Sequence, residues 1–466
     1  MTPLGYFMLP IGLIGLFFSK EWLYRLFVFS TLFSASSAIN FGEGKNGSAL
    51  QVWMFFGFLW LLRLVLDGLS TLSFPVDKRI VRPCLWLVAF LCVASASLAM
   101  PLFINGKLAI DSPFLGEGTQ TPLYLTLHNV TQVLYLIFGG MIAICVAHWN
   151  LNQADRNETE RVILFSASFI AAWGLFQFFC NVTGLPYPDF IFNNSGSASG
   201  QGFAQTLGEV GIGRISSATV EPSVFAQSLI ALLPLALPAW LRKGSVFSTR
   251  IDRWCSLLFV VALILSTSST AYLGLMVLSV LVGPMLVRVR MLSRAKAMKF
   301  AAMAIIVFIV FAGLAALSVP VVRNVADTVL LSKGSSGSGI ERLMTITLAF
   351  GYFQKYPILG IGWGSATSHD LIVKLLSNVG VVGAFVFFGA MLAVLRANWH
   401  TMRSLSDSFG LSRIAWMLAL SVFLSTSVLI GFPLAFGNFW LILGMAIATS
   451  RPEEKDRALG AIPDAV

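Results

Sequence analysis

Long apolar runs alternate with short polar connectors along the chain. The runs cover roughly residues 4–18, 22–39, 51–66, 84–104, 130–149, 162–180, 215–241, 254–270, 271–287, 300–320, 371–395, 414–430 and 434–449. A helix needs about 20 mostly apolar residues to cross the hydrocarbon core of a bilayer. The pattern therefore predicts an all-α fold, a polytopic membrane helix bundle of 12–14 transmembrane helices. No stretch is long and polar enough to form a separate soluble domain. The chain reads as one integral membrane domain over 1–450, with outer loops at 181–214 and 321–370 and a cytoplasmic tail at 451–466. Residues 1–18 lack a basic start, so they read as the first membrane helix rather than a cleavable signal.

The second long connector carries its own helical pattern. Ser338 and Glu341 are spaced as a capping box, which starts a helix. Ile340, Leu343, Met344, Phe350 and Phe353 then recur near helical spacing up to Tyr356. Pro357, Gly360, Gly362 and Gly364 stop it. This predicts an amphipathic helix over 339–355, lying on the outer membrane surface.

Composition agrees with lipid as the solvent. Of 466 residues, 57% are hydrophobic and 11% charged, against about 25% charged in soluble domains. The net charge of +10 is unevenly spread. Connectors 19–25, 67–83, 150–161, 242–253, 288–299, 396–413 and 451–457 hold 22 Lys and Arg, while 40–50, 105–129, 181–214 and 321–370 hold 7. The basic set is therefore cytoplasmic. The positive charge is a topology signal and not a nucleic-acid surface. Five cysteines lie in or beside apolar runs without a CxxC pair, so they read as core residues and not as disulfides or metal ligands. The chain has no P-loop, HExxH or aspartate-rich cluster, and no cofactor is expected. The glycines of GIGWG follow no strand and do not form a dinucleotide site.

Polar groups in a hydrocarbon setting are expensive, so each outer one asks for a reason. Arg214 closes the first outer loop; it is either an anion clamp or an arginine snorkelling to lipid headgroups. Glu221, placed a few residues inside the next helix and before Pro222, suits a general base or a structural partner for an arginine. Pro222 there would kink that helix. Arg342, in the first turn of the outer helix, is either a phosphate ligand or part of a solvated face. His369 opens the next span at its outer end, where it can take or give a proton near neutral pH or serve structurally. His128 is the other outward histidine. His148 and His400 fall on the cytoplasmic side.

At 339–395 the chain resembles the O-antigen ligase and O-antigen polymerase superfamily of bacterial envelope glycosyltransferases. The family's outer-helix arginine, P-x-x-G-x-G turn, histidine and G-x-x-G element match Arg342, Pro357 to Gly362, His369 and Gly380 to Gly383. The block Arg214, Glu221-Pro222-Ser223, Ala226 is similar to a second family signature. Two positions depart from it: Asp370 replaces an asparagine, and Ser268-Ser269-Thr270 replaces Ser-Arg-Gly. The resemblance implies a metal-independent membrane glycosyltransferase of the bacterial inner membrane, with its active site on the periplasmic side. Its donor would be a polyprenyl-pyrophosphate-linked oligosaccharide. Arg214 and Arg342 would bind the pyrophosphate, and His369 or Glu221 would accept the proton of the glycan acceptor. A flippase and a chain-length regulator are the implied partners besides the bilayer. Polymerisation of lipid-linked repeat units into O-antigen, capsule or exopolysaccharide is the leading function. Ligation of a finished glycan onto lipid A-core is the runner-up. A transporter is the alternative of another class; it would show repeated halves around a midplane site, and no repeat is visible.

Overall fold

A computed structural model describes residues 1–41, 48–71, 78–111, 120–196, 206–207, 212–241, 244–288, 337–402, 408–431 and 433–450. Its helices are α1 (Pro3–Phe18), α2 (Lys20–Ser30), α3 (Val52–Thr71), α4 (Lys78–Ala96), α5 (Ala99–Ile104), α6 (Leu127–Trp149), α7 (Gln153–Thr183), α8 (Asp189–Phe192), α9 (Pro222–Ala236), α10 (Thr249–Leu265), α11 (Ser269–Arg288), α12 (Gly337–Lys355), α13 (Leu371–Thr401), α14 (Ser408–Thr426) and α15 (Gly437–Ala448). Among the described residues, seven helical stretches are long and apolar enough to cross a membrane, and three shorter apolar helices accompany them. The protein is an all-α polytopic membrane helix bundle. The run 300–320, which the expected count of 12–14 includes, and the tail 451–466 lie outside the described residues. So do the side chains of the Ser338–Glu341 capping box.

Two helices are buried along their whole length, α9 and α15. Such all-round apolar helices belong at a bundle centre. The first packs against α10, α11 and α14, and the second against α6 and α14. Lipid tails are as apolar as leucine, so packing and interhelical hydrogen bonds hold such helices together. Gln227 Nε2 accordingly donates to the Phe423 carbonyl at 3.1 Å and to Ser427 Oγ at 3.0 Å. Asn438 Nδ2 donates to Ser228 Oγ at 2.9 Å.

The described connectors sort into two ends, in line with the charge bias. At the basic end Arg25 pairs with Glu158 at 2.9 Å, and Arg161 Nε donates to the Val246 carbonyl at 3.2 Å. At the other end Asn129 Nδ2 donates to the Trp363 carbonyl at 3.0 Å, and the Asp111 N–H donates to Tyr352 Oη at 2.9 Å. Three short hairpins occupy this second end, β1 (Ser37–Phe41) with β2 (Ser48–Gln51), β3 (Ala109–Asp111) with β4 (Gln120–Pro122), and β5 (Thr206–Leu207) with β6 (Ile212–Gly213).

The apolar run 22–39 is not one helix. The helix ends at Ser30, and Ser30 Oγ and Thr31 Oγ1 turn back onto the Phe27 and Val28 carbonyls at 2.9 and 2.7 Å. The small residues that follow thread into the protein as irregular backbone. Ala35 N–H donates to the Ala218 carbonyl at 3.1 Å, and Ser195 N–H donates to the Ala35 carbonyl at 3.2 Å. Irregular backbone at membrane depth is tolerated where protein surrounds it, and here Ala35, Ser36, Ser37 and Ala38 are fully buried.

The long helix α13 is broken at Gly380, with φ 64° and ψ −168°. The turn after Pro357 fills the break. Ile361 and Gly362 N–H donate to the Ser377 and Asn378 carbonyls at 2.8 and 3.0 Å, and Val381 and Val382 N–H donate to the Pro357 and Ile358 carbonyls at 2.8 and 3.3 Å. That backbone region is essentially reserved for glycine, and a Cβ at 380 would stand 2.1 Å from the Ile358 oxygen. Gly380→Ala should therefore cost at least about 1–3 kcal/mol and lower the thermal midpoint of the purified protein in detergent. Gly351→Ala, where a Cβ would meet nothing within 4 Å, should leave it unchanged.

Candidate active site

Arg214 reaches the site through a strand of polar backbone that the bundle holds from below. Gln177, buried on α7, accepts from the Ser216 and Ser217 N–H groups at 3.0 and 2.8 Å. Ser217 Oγ donates to the Ile170 carbonyl at 2.7 Å. Ser217 adopts a left-handed backbone (φ 53°), as does Thr267 (φ 47°); non-glycine residues in this region cluster at functional sites. The Thr267 carbonyl receives the one hydrogen bond that the Arg214 guanidinium makes among the described residues, a long one of 3.5 Å. The part-buried Arg214 Nε has no partner there.

Glu221 stands at the N-cap of α9, with Pro222 in its first turn. It lies before the helix and not within it, and Pro222 produces no kink, because a proline at this position removes an N–H that the helix leaves unpaired anyway. The Glu221 carboxylate is not spent on capping; it accepts from Ser223 Oγ at 2.8 Å.

The outer helix α12 carries Arg342 in its early turns. One face, with Leu348 and Tyr352, packs on Ile104, Leu108, Ile110, Leu123 and Ile361 in a small core separate from the main bundle core. The opposite face exposes Ile340, Leu343 and Met344, as an interfacial helix does. One turn after Arg342, Thr345 Oγ1 lies 3.0 Å from His369 Nδ1 and donates to the Arg342 carbonyl at 2.9 Å.

His369 precedes α13. Asp370, where the resemblance expects asparagine, is the helix N-cap, and its Oδ1 accepts from the Val373 N–H at 2.8 Å. Aspartate and asparagine cap equally well, so this departure keeps the local geometry. The segment is clamped from both sides. Asn378 Oδ1 accepts from the Ser365 and Ala366 N–H groups at 3.1 Å each, and Leu371 N–H donates to the Ser427 carbonyl at 3.2 Å. Gly431 lies so close that a Cβ there would fall 1.5 Å from the Ser368 oxygen.

The four residues singled out in the sequence thus meet electrostatically. The charges of Arg342 and Glu221 both act on Arg214 and on His369. Burial, and then the Arg342 charge, push the Arg214 pKa down from its ordinary value. The same two causes lower that of His369, with Glu221 opposing and Lys374 adding to the effect. Imidazole is therefore favoured over imidazolium. Sequence reasoning missed three neighbours. Lys374, one turn into α13 and half-buried, acts on both His369 and His128; an ionisable residue within a spanning run was the available signal. Tyr272 on α11 interacts with Arg214, near the place where the resemblance expects an arginine. Thr345 gave no signal. His148 and His400 lie at the ends of α6 and α13 away from this cluster.

Two arginines with one carboxylate among them leave an excess of positive charge. The described ion pairs Lys20–Asp67, Arg25–Glu158 and Arg63–Asp67 are all at the basic end, away from this cluster. This is an arrangement suited to an anion.

Residues 254–388 match the family described as O-antigen ligase. The match takes in Arg342 and His369 and leaves Arg214 and Glu221 outside it. It bears out the resemblance to the O-antigen ligase and polymerase superfamily and supports a membrane enzyme of polysaccharide or O-antigen assembly. No curated protein matches the chain. The geometry yields a test that needs no turnover assay. Inorganic pyrophosphate should bind the purified protein, and Arg214→Ala and Arg342→Ala should each weaken it about tenfold or more. Lysine at either position should restore little, because the planar fork is lost.

Proposed function

We propose that this chain polymerises polyprenyl-pyrophosphate-linked oligosaccharide repeat units into a surface polysaccharide, working without a metal on the periplasmic side of the bacterial inner membrane. The observation that carries the proposal is Arg214: a part-buried guanidinium with five donors and one 3.5 Å hydrogen bond among the described residues, beside a second arginine. Donors held so poorly satisfied by protein fit a ligand rich in acceptor oxygens.

In this reading Arg214 and Arg342 hold the pyrophosphate and stabilise the charge that builds on it as it leaves. An acceptor sugar hydroxyl attacks the anomeric carbon, the bond from that carbon to the pyrophosphate oxygen breaks, and polyprenyl pyrophosphate departs with the electron pair. The hydroxyl proton passes to His369, which its surroundings keep neutral. Glu221 then favours the imidazolium that results, by the sign of its effect on His369. A second reading, transfer of a finished glycan to lipid A-core, has the family description over 254–388 in its favour. Both use the same donor and the same chemistry.

The glycan profile of a deletion strain separates them. Single-unit chains on the lipid acceptor are the outcome for a polymerase; full-length polymer stranded on the polyprenyl carrier is the outcome for a ligase. EDTA should leave turnover intact, and a strict divalent-cation requirement would overturn the arginine-based mechanism. His369→Ala should remove roughly 10²–10⁴-fold of turnover, the range of general base catalysis. The acid limb of the pH–rate profile should lie below the ordinary imidazole value, since the folded site disfavours the protonated ring. Glu221→Gln removes an opposing influence, so it should move that limb further down; an upward shift is incompatible with the proposed part of Glu221.

A further inference from the structure

Thr345 stands between the phosphate-binding arginine of α12 and the histidine before α13. Its hydroxyl has one proton and two close polar neighbours, the Arg342 carbonyl oxygen at 2.9 Å and His369 Nδ1 at 3.0 Å. The carbonyl has no proton to offer, so that contact is a hydrogen bond only if the threonine donates. Donation to the carbonyl three residues earlier is the ordinary habit of a helical threonine. The hydroxyl proton is then used, and the second contact is attractive only if the ring supplies its own proton at Nδ1. The reverse assignment would set two lone pairs against each other at 2.9 Å.

We propose that Thr345 is a positioning residue that fixes the His369 tautomer with the proton on Nδ1, so that Nε2 is the ring's basic nitrogen and takes the acceptor proton. This rests on the proposed function for its catalytic consequence, though the tautomer itself does not. The hydroxyl also ties the ring to the backbone of Arg342. The base and one arm of the pyrophosphate clamp therefore keep a fixed relation wherever α12 sits. Among the described residues, charged groups that bear on His369 include Arg342 from α12, Glu221 from the N-cap of α9, and Lys374 from α13 itself, and the substitutions below leave all three in place.

The first measurement uses the wild-type full-length protein in detergent with ¹⁵N-labelled histidine. The chain has four histidines, so His369→Gln identifies the His369 signals by difference. A proton on Nδ1 of the neutral ring is the expected result; a proton on Nε2 overturns the assignment whatever the enzyme's reaction proves to be. The second measurement compares Thr345→Val and Thr345→Ser. Serine keeps the hydroxyl and should retain most of the turnover. Valine keeps the shape and should lose about 10- to 100-fold in kcat, the scale of a misplaced catalytic group, with the KM for the lipid-linked donor nearly unchanged. The direction of the acid limb adds an independent readout. Valine removes an acceptor that serves the protonated ring, so the limb should move down; had Thr345 donated to the ring, it would move up. Normal kcat in Thr345→Val together with an Nδ1 proton in the wild type would retain the tautomer and refute its part in catalysis. Loss of the polysaccharide reading by the deletion-strain profile would leave the NMR result standing.

Discussion

Four backbone hydrogen bonds between a turn and a broken helix hold the working end of this protein. In a bilayer, a helix cannot be interrupted unless something else satisfies the carbonyls and N–H groups that the interruption frees. Here the turn after Pro357 supplies both, donating to Ser377 and Asn378 and accepting from Val381 and Val382. The exchange sets the path of the chain from α12 to α13, and hence where Thr345 meets His369. Glycine at 380 is required by the dihedral angles, and glycine at 360 by a contact in which a Cβ would sit 2.5 Å from the Asn378 carbonyl carbon. The turn and the later G-x-x-G element, which look like separate motifs in the sequence, are two halves of one joint.

The two ends of the bundle use arginine in opposite ways. At the basic end Arg156 Nη1 donates to the Asn150 and Leu151 carbonyls at 3.0 and 2.9 Å, and Arg413 Nε donates to the Thr449 carbonyl. These carbonyls lie at the C-terminal ends of α6 and α15, where cations are favoured by the helix dipole. Such arginines complete the fold. At the other end Arg342 lies in the early turns of α12, where the same physics opposes it, and its charge acts on Arg214. Folding alone gains little from that placement, which is the physical reason to look for an anionic ligand there.

Much of this was legible in the sequence because membrane helices announce themselves. The apolar runs, the bias of Lys and Arg, and the stop at Pro357 after the α12 pattern each rest on a local rule, and the helices and the two ends follow them. Arg214, Glu221, Arg342 and His369 were visible as costly polar groups on the outer side. What could not be read was geometry that depends on distant segments. The run 22–39 looked like a spanning helix because serine and alanine are compatible with one; only the chain at 192–220, supplying partners for Ser34, Ala35 and Ser36, lets it unwind. Glu221 looked interior to a helix because the apolar run begins before it, whereas Pro222 marks the first turn. Thr345 is an ordinary polar residue until His369, 24 positions later, is brought to its hydroxyl.

The closeness of Gly431 to Ser368 has a consequence for biogenesis. A membrane chain is inserted from its amino end, and the residues that bear charge at this site have all emerged by Lys374. The seat for the His369 segment has not: Ser427 and Gly431 come from the far end of α14 and beyond it. A ribosome stalled before Ser427 would leave the arginines of the site in place with its histidine unplaced. The His369 segment thus has no complete seat until nearly the whole polypeptide has been threaded, and an unfinished copy lacks the contacts that assemble this cluster.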